Sequence, residues 1–144
     1  MHVIDIGTHH GVRPATDQDL RAETLLRIMA HNGVRAALTW SLKAAQYDFA
    51  GNDETLALCR THPNLYPVAV VDPRRAPDCY AEVERCAVAG CVAFRFPREL
   101  QGWPIANQAF QHLLRAVERT RLPVIVHVPA AGDATALLHL VGDI

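Results

Sequence analysis

Asp5-Ile6-Gly7-Thr8-His9-His10-Gly11, DIGTHHG in one-letter code, follows a short apolar run that begins at His2. An apolar run that ends in an acidic residue, glycines and histidines reads as a β-strand, His2–Ile6, passing into a polar loop, Gly7–Ala15. Four more apolar runs follow: Arg35–Trp40, Leu65–Val71, Cys91–Phe96 and Val124–Val128. They are apolar throughout rather than alternating, as strands covered on both faces are. Between them lie helix-period segments. Thr16–Asn32 opens with Thr16 and Asp19 at capping-box spacing and closes at Gly33. Asp53–Thr61 stops before Pro63, and Asp78–Ala89 stops at Gly90. Ile105–Arg121 carries Phe110, Leu113, Leu114 and Val117 on one helical stripe, the mark of a core-facing side, and a last helix starts near Asp133. Strand and helix in alternation predict an α/β fold with about five parallel βα units.

The chain has 144 residues, half of them hydrophobic, and a formal net charge of −1. That balance carries no basic footprint for nucleic acid. No apolar run reaches membrane-spanning length, so no membrane partner is expected, and the N-terminus lacks the pattern of a secretory signal. The four cysteines, Cys59, Cys79, Cys86 and Cys91, form no C-x-x-C pair. They read as buried free thiols in a reducing cytoplasm rather than a zinc-thiolate site. No linker or low-complexity tract divides residues 1–144.

The unusual polar residues fall at carboxyl ends of the expected strands: Asp5 and Gly7 with His9 beyond, Thr39 and Ser41, Asp72, Arg95 and His127. Parallel strands that curl bring those ends to one rim, where a site forms. A histidine in an apolar strand needs a polar partner, which singles out His127. Arg95, between Phe94 and Phe96, needs a carboxylate, either a substrate's or that of Asp5 or Asp72. Asp5 reads as a backbone acceptor, Asp72-Pro73 as a turn start, Trp40 and Trp103 as packing or rim residues, and His10 as a loop residue. His31, His62 and His112 read as solvent-facing.

With these elements in order, the sequence resembles the N-terminal portion of the amidohydrolase-related superfamily of metal-dependent TIM-barrel hydrolases. VIDIGTHHG resembles its first-strand motif, NLYPVAVVDPR its third strand, AGCVAFRFP its fourth and RLPVIVHVP its fifth. The resemblance implies a partial (β/α)8 TIM barrel, a single incomplete domain over residues 1–144, with the chain read as the front of a longer product. It implies metal ligands at His9 and His127, for zinc or manganese. In the family the first-strand histidines stand two apart, and here Gly7 occupies the first of those positions, so a metal-free form is equally in view.

The function expected from this resemblance is hydrolysis of a C–N, ester or lactone bond, or decarboxylation, of a small carboxylate-bearing substrate. His127 and His9 are the expected acid–base pair, with Arg95, Trp40 and Asp72 as substrate contacts. The alternative is a non-catalytic remnant that binds a small anion or a protein. Five units leave the first and fifth strands as apolar edges, which a homo-oligomer would cover. A flavodoxin-like open sheet is the third reading, and GTHHG lacks the lysine and spacing of a phosphate loop.

Overall fold

The computed structural model describes residues 3–13, 18–46 and 48–142. The capping residue expected at Thr16 lies outside them. Fourteen elements alternate along the chain: β1 (Val3–Arg13), β2 (Gln18–Leu20), α1 (Ala22–His31), β3 (Val34–Ser41), α2 (Leu42–Gln46), α3 (Ala50–Thr61), β4 (Leu65–Val70), a 3-10 turn (Pro73–Arg75), α4 (Ala76–Ala89), β5 (Ala93–Phe96), α5 (Arg98–Gln101), α6 (Gln108–Thr120), β6 (Val124–Val126) and α7 (Ala131–Gly142). The sheet order is β2-β1-β3-β4-β5-β6. All pairs from β1 to β6 are parallel, and only β2 runs antiparallel, on β1. The five parallel strands curl into a half-barrel with helices between them, a partial TIM barrel.

Two expectations change at the N-terminal end. The first strand does not stop at Ile6. It continues to Arg13, so DIGTHHG is strand rather than loop. The reason is tertiary. Thr8, His9 and His10 pair with Thr39, Trp40 and Ser41 of β3, and Thr8 Oγ1 donates to the Leu38 carbonyl at 2.7 Å. The ladder breaks register between Asp5 and Thr8, where Asp5 Oδ1 instead accepts the Gly7 N–H at 2.8 Å. Nor is β1 a bare edge along its whole length, because β2 covers Gly11 to Arg13. Its lower part is open, with Ile4 61% and Ile6 64% exposed.

Side-chain parity sorts the core into two layers. Ala69, Val71, Phe94 and Phe96 face the helices and pack with Cys79, Val83, Phe110, Leu113 and Val117 of α4 and α6. Trp103 joins that layer, its ring 4.8 Å from Phe110 and its indole N–H bonded to Gln101, so it is a packing residue and not part of a rim. Val68, Val70 and Ala93 face the concave side with Leu38, Trp40 and Ile125. Helix ends follow local chemistry. Asn107 caps α6 by accepting from Ala109 and Phe110, and α4 stops at Gly90, whose φ of +99° suits a residue without Cβ.

One side chain completes the middle of the sheet. β3 and β4 pair only as far as Thr39 with Pro67. Beyond that point the Val70 backbone would lack a neighbour on the β3 side. Asn52 of α3 supplies one: its Oδ1 accepts the Val70 N–H at 2.9 Å and its Nδ2 donates to the Val70 carbonyl at 3.0 Å. The same amide donates to buried Glu82 at 2.7 Å, and Arg85 and the Cys86 thiol also donate to that carboxylate. These hydrogen bonds hold the Glu82 carboxyl below its usual range against the opposing effect of burial. Gly51 beside it is equally constrained, since a Cβ there would lie 2.5 Å from the Ala44 nitrogen.

Asn52→Ala is expected to cost about 3 kcal/mol, because it strands two buried backbone groups and loosens Glu82. Gly51→Ala is expected to cost about 1–3 kcal/mol by overpacking α2 against α3. Urea unfolding midpoints check both, and unchanged midpoints would refute the roles assigned here.

Candidate functional site

The middle of β1 and the carboxyl ends of β3, β5 and β6 surround a cleft of about 300 Å³. Gly7 and His9 come from β1, Trp40 from the end of β3, Arg95 from β5 and His127 from the residue after β6. These positions share the concave parity of their strands, so alternation brings them together. The His127 backbone N–H extends the ladder to the Phe96 carbonyl at 3.3 Å, which fixes where its side chain starts.

The cleft is built around a cation on an aromatic face. The Arg95 guanidinium carbon sits 4.7 Å from the Trp40 ring centroid, and the His9 ring sits 5.2 Å from the same indole. The Arg95 side chain is only 12% exposed, and among the described residues its acidic neighbour is Glu99 at 3.7 Å. Burial lowers its pKa, with Glu99 opposing. The guanidinium stays protonated, so a buried charge is left with thin compensation. Glu99 also reaches His127, Oε2 to Nδ1 at 3.5 Å. Two buried donors on this face, Trp40 Nε1 and Arg95 Nε, have no hydrogen-bond partner among the described residues.

His9, Trp40, Arg95 and His127 therefore meet, as the sequence suggests. Asp72 does not join them. Its carboxylate caps the 3-10 turn, accepting the Arg74 N–H at 3.0 Å and the Arg74 guanidinium at 2.6 Å, and it has no free face toward the cleft. A turn-starting Asp-Pro satisfies itself locally. Nor does Asp5 reach Arg95, being exposed and bonded to Gly7. Glu99 is the residue that sequence reasoning passes over. It sits four residues after Arg95 on a short helix that no hydrophobic period announces. The available signal is the need of Arg95 for an acid.

His10 is a second correction. It is not a loop residue but a strand residue of opposite parity to His9, and only 8% of it is exposed. Its Nε2 lies 2.9 Å from Thr55 Oγ1, whose own proton goes to the Gly51 carbonyl at 2.9 Å. The hydroxyl must then accept, which places a proton on His10 Nε2. His10 anchors β1 to α3 and faces away from the cleft.

The donor set of the cleft is poor in metal ligands. Glycine at position 7 lines the cleft without a ligating atom, and Arg95 brings a fixed positive charge into the same space. Among the described residues, no three His, Cys, Asp or Glu side chains come together as a catalytic zinc requires. The residues present do not fit a catalytic metal.

The sequence profile of a family described as Amidohydrolase matches residues 11–142. Among solved structures, a candidate 2-pyrone-4,6-dicarboxylic acid hydrolase from Acinetobacter baumannii, with citric acid bound, superposes with a TM-score of 0.67 at 18% identity. That match covers 99% of this chain and 54% of the other. A candidate amidohydrolase from Staphylococcus aureus gives 0.70 at 16% identity, covering 92% of this chain and 50% of its own. An Agrobacterium tumefaciens protein in its apo form gives 0.64 at 16% identity, covering 98% and 65%. Likeness at these identities shows the shared fold. The chain spans about half the length of the first two. No curated protein sequence matches it.

Burial holds the His10 pKa below its ordinary value, with the Glu54 charge opposing and His9 adding to the depression. The unfolded chain then binds the proton more readily than the folded one. His10 contributes its full stability above the unfolded value of about 6.5 and loses it as pH falls from there toward the folded value. The melting temperature is expected to drop from about pH 8 to about pH 5, and His10→Gln, which keeps a donor for Thr55, is expected to flatten part of that drop. Parallel melting profiles for the two proteins would refute this.

Proposed function

The chain belongs to the amidohydrolase family, and we propose that it follows the hydrolase or decarboxylase lineage of that family, acting on a small carboxylate-bearing molecule without a catalytic metal. The observation that carries this reading is Arg95, a buried cation stacked on Trp40 at the bottom of a cleft between strand ends. A charge so placed favours an anion that enters and replaces water. The family is generally metal-dependent. For this chain zinc or manganese would find His9 and His127 as ligands, and Gly7 where a third would stand.

The chemistry is assigned to the chain's own side chains. Arg95 and Trp40 bind and orient the substrate carboxylate. Glu99 faces His127 Nδ1, which leaves Nε2 as the atom that handles a proton. In hydrolysis, water loses a proton to His127 Nε2 as its oxygen bonds to the acyl carbon, and the departing oxygen or nitrogen takes a proton from His9. Both steps balance without an outside reagent. Residues 1–144 are taken as one incomplete barrel domain. A reducing cytoplasm suits four buried thiols, of which Cys59, Cys79 and Cys91 are pushed up to about 11 by burial.

One observation favours the alternative, a non-catalytic remnant that binds protein or a second copy of itself. Leu114, Leu122, Val124, Val126 and Leu137 line an apolar groove along the free edge of β6. A homo-oligomer would cover it, and sedimentation giving a concentration-independent monomer would rule out self-association through this groove.

Arg95→Ala is expected to weaken benzoate binding at least about tenfold while shifting the urea midpoint little, as loss of a charge-assisted hydrogen bond implies. Binding is also expected to survive dialysis against chelator. Equal loss of binding and stability would overturn the role of Arg95, and near-stoichiometric zinc or manganese in active protein would overturn the metal-free reading.

A further inference from the structure

Three buried side-chain atoms near the strand ends are instructive because they lack hydrogen-bond partners among the described residues: Thr39 Oγ1, Trp40 Nε1 and Arg95 Nε. Parity separates them. Thr39 points to the helix layer. Trp40 and Arg95 point to the concave side and line the same cleft. Trp40 is 3% exposed and neither donor has surface open to water, so a ligand reaches them only as neighbouring cleft side chains move aside. An unsatisfied buried donor costs about 1–3 kcal/mol, and such groups in a folded protein call for an explanation in ligand or function. Trp103 provides the contrast within the same chain, since its indole N–H donates to Gln101 at 2.7 Å.

We propose that the Trp40 indole N–H and the Arg95 Nε–H form a two-donor seat for one planar anion, each donor taking a different acceptor atom of the same ligand. The inference rests on the carboxylate reading above and makes it more specific. Trp40 has two separate tasks. Its ring face steers the guanidinium by cation–π contact. Its N–H supplies a neutral, directional donor that a lysine or a bare arginine would not. Two donors on rigid strand ends select a ligand with two acceptors held in one plane: a carboxylate, or a carboxylate with a neighbouring ring or keto oxygen. A tetrahedral anion such as phosphate presents the same charge with the wrong shape. The cleft size, about 300 Å³, suits a single small ring or short-chain acid. Glu99, 3.7 Å from the Arg95 Nη2, lines the same cleft and engages the guanidinium through that nitrogen rather than through Nε.

The test follows the two indole N–H signals of ¹⁵N-labelled protein by NMR, with Trp103→Phe assigning them. Benzoate is the probe, with benzamide as its uncharged counterpart and inorganic phosphate as the tetrahedral one, and calorimetry reports affinity. Benzoate is expected to move the Trp40 indole signal downfield and to leave that of Trp103 in place. Benzamide and phosphate are expected to bind at least about tenfold more weakly. Trp40→Phe keeps an aromatic face for Arg95 while removing the donor and part of the ring volume, and it is expected to weaken benzoate about tenfold with a urea midpoint that reports the packing loss separately. If benzoate binds, and Arg95→Ala weakens it, while the Trp40 signal stays still or Trp40→Phe binds equally well, the two-donor seat is overturned and the Arg95 reading stands. If benzoate binds neither the unaltered protein nor the variants, both are overturned. Equal affinity for phosphate would overturn the planar selection.

Discussion

A parallel strand covered on both faces has one setting that everything else inherits, the parity of its side chains. Each residue faces either the helices or the concave side, and a one-residue slip exchanges the two sets. In β1 this setting separates two neighbouring histidines. His10 goes to the helix layer and bonds to Thr55. His9 goes to the concave side and meets Trp40. In β5 it separates Phe94 and Phe96, which fill the helix-facing core, from Arg95, which stands over the indole. The helix-facing core and the cleft are thus on opposite faces of the same strands, while Trp40 belongs both to the concave-side core and to the cleft wall.

Such an arrangement is useful only if the strand ends hold still, and the Asn52 amide is what holds the central pair. It stands in for a β3 neighbour that leaves the ladder at Pro67, and it ties Val70 to α3 and, through Glu82, to α4. Val70 is in turn the register partner of Arg95. A buried polar network outside the barrel therefore sets the height at which the guanidinium emerges inside it. Satisfied networks of this kind rigidify and specify a single packing.

The strand–helix alternation, the order of the motifs and the convergence of His9, Arg95 and His127 were legible because they follow from periodicity and from the rule that parallel strands share a polar rim. Boundaries were less so. The extension of β1 through DIGTHHG depends on hydrogen bonds to β3 that lie more than twenty residues away in the chain. The short strand β2 and the helices α2 and α5 are too brief for a hydrophobic period to register. Asp72 carried two readings, turn start and substrate contact, because an acid at a strand end looks the same in either role, and here it caps its own turn and Arg74 takes the carboxylate.

By itself, then, the sequence determined the class of fold, the order of its strands and helices, and that Arg95 and His127 stand at the carboxyl ends of two of them, since these are properties of local periodicity and order. Tertiary structure alone decided which donors remain without partners, that Glu99 faces both Arg95 and His127, and that His10 is a strand anchor rather than a loop residue. Those outcomes turn on distances of a few ångströms between segments far apart in the chain, and no local pattern encodes such distances.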